Sequence, residues 1–172
     1  MMRIDPEPLL TAGQIAARVS ELAAEIRRDL ADDRPVVLGV LKGAAFFTAD
    51  LARALGMDAE VEFIRARSYS GTESGGRVEV FGLDRLSLAG RTVLLVEDIV
   101  DTGTTLAALL AGLHAAGAAT VRVCALLDKP SRRKTPVTPD YAGFVVENRF
   151  VVGYGLDYEE RFRTLPEIHV LA

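Results

Sequence analysis

The sequence predicts an α/β fold, a mainly parallel twisted sheet flanked by helices, over one domain spanning residues 1–172. Three observations predict it. Val36 to Leu41, Val93 to Val96 and Val121 to Leu127 are short apolar runs of the kind found in strands buried on both faces. Stretches with apolar residues at helical spacing alternate with these runs, as in a parallel sheet covered on both sides. All three runs end in charged residues, Lys42, Glu97-Asp98 and Asp128-Lys129. Open α/β sheets bind ligands outside the carboxyl ends of their strands, so these charges should share one crevice.

Each element has its own warrant. Thr11-Ala12-Gly13-Gln14 has capping-box spacing and precedes the helical stripe Ile15, Val19, Leu22, Ile26 and Leu30. The Val36 strand ends at Lys42-Gly43, and a second helix places Phe47, Leu51 and Leu55 on one face and stops at Gly56. Val61 and Phe63 alternate with Glu60 and Glu62, which predicts a strand with one solvated face. Residues 68 to 77 hold three glycines and no aliphatic side chain, the composition of a mobile loop. Val78 and Val80 resume an alternating strand. After Gly90 comes the Val93 strand, then a helix carrying Leu106, Leu109, Leu110 and Leu113 and closed by Gly117, then the Val121 strand. Residues 130 to 140 hold three prolines with Arg132, Arg133 and Lys134, which reads as a solvated loop. Tyr141 to Val146 predicts a last strand before an irregular tail, 147 to 172.

Composition narrows the class. Hydrophobic residues make up 49% and charged residues 26% of the 172, ordinary for a globular protein with a single core. A net charge of −4 offers no basic footprint for nucleic acid. The single cysteine, Cys124, lies in an apolar run, which predicts a buried, inert thiol in a reducing compartment. The opening residues are acidic and broken by Pro6 and Pro8 where a signal peptide needs an apolar stretch. Leu106 to Ala119 is too short to span a bilayer. The expected location is cytoplasmic, with neither a membrane nor a nucleic acid as partner. His114 and His169 show no metal-ligand spacing.

The densest chemistry lies between Val93 and Thr105. Here an apolar strand runs into Glu97, Asp98 and Asp101, then into Thr102-Gly103-Thr104-Thr105 and a helix start. Backbone N–H groups and the positive helix end converge there, which suits a phosphate. Carboxylates beside a phosphate repel it unless they hold sugar hydroxyls or a metal, so the pattern suggests a phosphorylated ribose.

This stretch resembles the phosphoribosyl-diphosphate (PRPP) motif of type I phosphoribosyltransferases. Leu41-Lys42-Gly43, Asp128-Lys129-Pro130 and the run Phe150 to Tyr158 narrow the resemblance to hypoxanthine-guanine phosphoribosyltransferases of the bacterial type. It extends from about the first helix to the C-terminus. It implies the type I fold with a small hood built from terminal segments, Mg²⁺ as cofactor, and a homodimer or homotetramer. It also implies transfer of 5-phosphoribosyl from PRPP to N9 of hypoxanthine or guanine, giving IMP or GMP and pyrophosphate.

The resemblance further implies roles for single residues. Thr102, Gly103, Thr104 and Thr105 hold the 5′-phosphate; some relatives carry a lysine in place of Thr104. Glu97 and Asp98 contact the ribose 2′- and 3′-hydroxyls, directly or through Mg²⁺. Asp101 is the acid/base group near N7 of the purine, or stabilises positive charge on the ribose. Leu41, Lys42 and Gly43, often with a cis peptide before the lysine, bind pyrophosphate, with Arg163 touching it as well. Lys129 donates to the purine 6-oxo group, which excludes adenine. Phe150 stacks on the purine and Val151 reads its edge. Asp157 is a further Mg²⁺ ligand. Ser68 and Tyr69 head a lid that excludes water.

Two rivals have discriminating features. A transferase for another base is opposed by Lys129, Phe150 and Asp157. An RNA-binding regulator on the same fold needs a basic face, and the chain's one basic cluster is Arg132 to Lys134.

Overall fold

The chain enters helix α1 (Ala12–Asp29) through the expected capping box. Thr11 Oγ1 accepts from the Gln14 N–H at 3.2 Å, and Gln14 Oε1 accepts from the Thr11 N–H at 2.9 Å. Ile15, Val19, Leu22 and Ile26 turn the buried side of this helix inward. This computed structural model describes residues 3–31, 33–68 and 78–171. The remaining elements in order are β1 (Val36–Leu41), α2 (Ala45–Leu55), β2 (Glu60–Ser68), β3 (Val78–Phe81), β4 (Thr92–Val100), α3 (Thr104–Ala115), β5 (Thr120–Asp128), β6 (Tyr141–Val145), β7 (Val151–Val152) and β8 (His169–Val170).

The main sheet has the order β3-β2-β1-β4-β5-β6. All its pairs are parallel except β2 with β3, so the fold is the mainly parallel α/β sheet the sequence predicts. Alternate residues of the central strands feed two cores. Val37, Leu94, Val96, Cys124 and Leu126 pack under α1 and α2, while Val36, Leu38, Leu95, Val123 and Ala125 pack under α3. Strand polarity and the helices on both faces explain why these runs are apolar throughout. Cys124 is fully buried, and that burial pushes its thiol far above the ordinary range.

The tail is more regular than its sequence suggests. β7 and β8 pair antiparallel, and the N-terminal segment joins them through Ile4 with Leu171 and Leu10 with Ile168. Terminal segments thus build the small hood. Strand β2 forms as expected, and its more exposed face is the apolar one. Val61 is 45% and Phe63 39% exposed, while Glu60 pairs with Arg91 at 3.1 Å and Ile64 is the buried side chain. Alternation revealed two faces, but the helix that would cover Val61 and Phe63 packs on α1 and β1 instead. Among the described residues no helix is long and apolar enough to cross a membrane.

Candidate active site

The chain turns from one side of the sheet to the other between β1 and β4, and a crevice opens at their carboxyl ends. β1 pairs with β4 only as far as Gly39 opposite Val96. β4 then runs on against β5 to Val100 opposite Asp128. Glu97 and Asp98 therefore lie within the strand and not beyond its end, as the apolar run alone suggested. β1 meanwhile peels away through a cis Leu41–Lys42 peptide into Gly43. A Cβ on Gly43 would lie 1.6 Å from Asp98 Oδ2, so only glycine lets this loop close on the carboxylate.

The two adjacent acids are electrostatically loaded. Burial, then the Asp98 charge, pushes the Glu97 carboxyl well above the carboxylate range. Burial also raises Asp98 to about 6, with Asp157 adding to the rise. The Ile99 N–H, donating to Asp98 Oδ1 at 2.7 Å, and the Arg163 charge oppose it. Among the described residues the Arg163 charge opposes this rise only in part, so ionising both carboxylates here is costly unless a further cation arrives. All donors here are carboxylate oxygens, the type a hard divalent cation takes, and Mg²⁺ needs only one or two of them when phosphates supply the rest. Among the described residues no cluster of three or more His, Cys, Asp or Glu forms a self-sufficient metal cage. The residues fit an ion shared with a ligand.

Next along β4 comes the expected phosphate loop. Gly103 adopts φ 84°, a left-handed turn immediately before α3. Having no side chain, Gly103 caps nothing, so apart from the Thr104 N–H the first-turn N–H groups of α3 remain open to an anion. The Thr102 hydroxyl lies 3.3 Å from that of Thr104 and accepts from the Thr104 N–H at 3.4 Å. Thr105 and Thr102 line the same cleft.

Arg133 departs from the expected solvated loop, and Arg132, exposed as expected, is nonetheless engaged. Arg132 Nε donates to Asp101 Oδ1 at 2.9 Å. The half-buried Arg133 pairs with the buried Asp128 carboxylate and donates to the Asp101 main-chain oxygen at 2.8 Å. Both were missed because a run of basic residues between prolines looks solvated, and nothing in the chain order brings it to Asp101. Lys134 does remain exposed.

The end of the crevice expected to take the base is built by β5 and the hood. Lys129 is buried, and its Nζ donates to the Arg149 carbonyl at 2.6 Å. Burial lowers its pKa, while the Asp101 charge works against that. Phe150 is 53% exposed and meets Tyr158 edge-on at 5.6 Å, leaving its ring available for stacking. Phe150, Val151, Lys129, Asp157, Asp98 and Asp101 line one cavity of about 260 Å³.

On the opposite side, Lys42 Nζ pairs with Glu160 at 3.0 Å, which holds the Glu160 carboxyl below its usual range. Arg163 pairs with Asp157 at 2.9 Å and donates to the Gly155 carbonyl at 2.7 Å. Both cations line a cavity of about 500 Å³ with Leu41, Arg65 and Arg67. Between the two lies a cleft of about 280 Å³ lined by Leu41, Gly43, Glu97, Asp98 and Asp101 to Gly103. It shares Asp98 and Asp101 with the Lys129 cavity and Leu41 with the Lys42 cavity. The expected base, sugar-phosphate and pyrophosphate residues therefore open onto one continuous crevice. Ser68 ends β2 exposed to solvent, outside these linings. Tyr69 and the rest of the expected lid, 70 to 77, lie outside the described residues.

Comparison with known proteins converges on one family. The family model of the phosphoribosyl transferase domain matches residues 7–159. The hypoxanthine-guanine-xanthine phosphoribosyltransferase of Tritrichomonas foetus is 43% identical over 164 residues, covering 95% of this chain and 90% of that protein. The hypoxanthine-guanine phosphoribosyltransferase of Bacillus subtilis is 42% identical, covering 99% and 96%. A crystal structure of a hypoxanthine-guanine phosphoribosyltransferase from Bacillus anthracis matches with TM-score 0.91 at 38% identity, covering 100% of this chain and 99% of that one.

Proposed function

The chain belongs to the phosphoribosyl transferase domain family, and from that premise we infer that it works in purine salvage. It transfers the 5-phosphoribosyl group of PRPP to N9 of hypoxanthine or guanine, giving IMP or GMP and pyrophosphate. The observation that carries the assignment of its residues is the continuous crevice, with Lys129 at one end, Lys42 at the other and Asp101 between.

In this reading the Thr102 to Thr105 turn and the N-terminus of α3 hold the 5′-phosphate. Glu97 and Asp98 take the ribose hydroxyls. The Lys129 ammonium keeps donors free beyond the one given to Arg149, and a 6-oxo group accepts one of them. Phe150 stacks on the ring and Val151 reads its edge. Asp101 takes the proton that leaves the purine as N9 bonds to C1′. The C1′–O bond breaks with its electron pair going to pyrophosphate, which departs toward Leu41, Lys42, Gly43 and Arg163. Catalysis by these residues is positioning and charge stabilisation. Mg²⁺, when bound with PRPP, supplies neutralisation of the pyrophosphate charge, and Glu97, Asp98 and Asp157 are the residues that would hold it.

A homodimer or homotetramer is proposed from the uncovered apolar side chains. Val61, Phe63 and Phe81, the last 49% exposed, share one face of the sheet edge. A cytoplasmic location is proposed from the lone buried thiol.

The deciding experiment offers purified protein PRPP and Mg²⁺ with hypoxanthine, guanine, xanthine or adenine in turn and follows nucleotide formation. IMP and GMP without AMP is the expected result. Nucleotide from adenine alone, or from none of the bases, would defeat the reading. XMP formation would extend it, as the name of the Tritrichomonas foetus relative suggests.

A further inference from the structure

The least accounted-for chemistry beside the crevice is the turn that follows Lys129. Pro130–Arg132 forms one 3-10 turn, closed by the Arg132 N–H on the Lys129 carbonyl and the Arg133 N–H on the Pro130 carbonyl, each at 3.1 Å. It delivers two guanidinium groups to a single residue. Arg132 Nε meets Asp101 Oδ1, and Arg133 meets the Asp101 main-chain oxygen while anchored on Asp128. The chain beyond the turn adds the Lys134 and Thr135 N–H groups, which donate to the Thr102 carbonyl at 2.9 and 3.1 Å.

We propose that Arg132 is a positioning residue for Asp101, holding Oδ1 so that Oδ2 is presented to the purine, and that Arg133 ties the Asp101 backbone to the strand that ends in Lys129. This rests on Asp101 being the acid/base group. Three features support it. Asp101 lines both the base cavity and the sugar cleft, whereas Arg132 lines neither, so the guanidinium approaches from behind the carboxylate. Oδ2 has no hydrogen-bond partner among the described residues and is left for substrate. The ion pair is exposed, at 42% for Arg132 and 38% for Asp101, and such pairs add little to stability. Stability therefore gives no sufficient reason for the contact. Orientation does, because a half-exposed carboxylate otherwise rotates, and misplacement at a reacting atom is expensive in rate. The Asp128 bridge gives the same turn a second effect. Asp128 precedes Lys129, so the residue that reads the base and the residue that takes its proton share one rigid support.

A double-mutant cycle in kcat tests this, with PRPP affinity and thermal midpoint measured on each protein. Arg132→Ala should lower kcat about tenfold, equal to ~1.4 kcal/mol, with PRPP affinity within about twofold of the parent. In an Asp101→Asn background the same change should cost less than about twofold, because no carboxylate remains to be oriented. A full tenfold cost in both backgrounds would mean a merely structural role and overturns the proposal. Parent-like kcat for Arg132→Ala, with Asp101→Asn slow, overturns the proposal alone. Parent-like kcat for Asp101→Asn overturns the acid/base reading of Asp101, and this proposal with it.

Discussion

Asp98 shows how much of this site's chemistry is carried by placement. An aspartate in the unfolded chain ionises near pH 4, whereas in the crevice burial lifts its carboxyl to about 6. The folded state is thus penalised for holding the charge, fully above pH 6 and not at all below about pH 4. Asp98→Asn should therefore stabilise the unliganded protein at pH 7.5 by about 1–2 kcal/mol, with the gain vanishing toward pH 4. Denaturant titrations at the two pH values check this, and an equal gain at both would refute it. The same variant should lose at least about tenfold in PRPP affinity, because the ribose and its cation lose an anionic partner. Lys129 presents the opposite case. Its buried ammonium needs partners, the Arg149 carbonyl in this structure and, on the proposed reading, a 6-oxo group in the complex. Lys129→Ala should reduce the kcat/KM preference for hypoxanthine over adenine by at least about tenfold. Selectivity measured at the parent value would remove Lys129 as the reader.

At the scale of elements, three strand ends and two turns make the site. β4 outlasts β1, which lets Glu97 and Asp98 project while still supported by β5. The β1 turn then fits against Asp98 only because residue 43 has no side chain. Gly43→Ala should cut turnover at least about a hundredfold, since a Cβ forces either the loop or the carboxylate out of place. The unfolding midpoint should fall as well, because Gly43 and Ala44 are buried against this carboxylate; parent-like turnover would show that the loop has room to spare. The turn after β5 plays the matching part on the other side, clasping Asp101 and Thr102.

For the whole molecule, the central strands satisfy both cores, and the sheet edge does not. Val61, Phe63 and Phe81 present apolar area beside the strand end that carries Arg65 and Arg67. Burying such a patch against a second copy is favourable at about 25 cal/mol per Å² before association costs. Phe63→Glu should therefore shift sedimentation equilibrium toward the monomer. A parent-like mass for that variant would place the interface elsewhere.

Apolar runs, helical stripes, cap signals and the charged residue at each strand end were all legible in the chain. They reflect local demands, namely which side chains must leave water and which backbone groups need partners. Those demands determined the alternating sheet, the capped first helix and the charged strand ends that meet in the crevice, whereas Phe150, Asp157 and Arg163 were legible only through the family resemblance. Tertiary structure alone decided that Val61 and Phe63 stay uncovered, that β4 continues through its acids, and that Arg132 and Arg133 grip Asp101. Such outcomes depend on which distant segment arrives at a given face, and a one-dimensional pattern records a residue's needs without recording its neighbours.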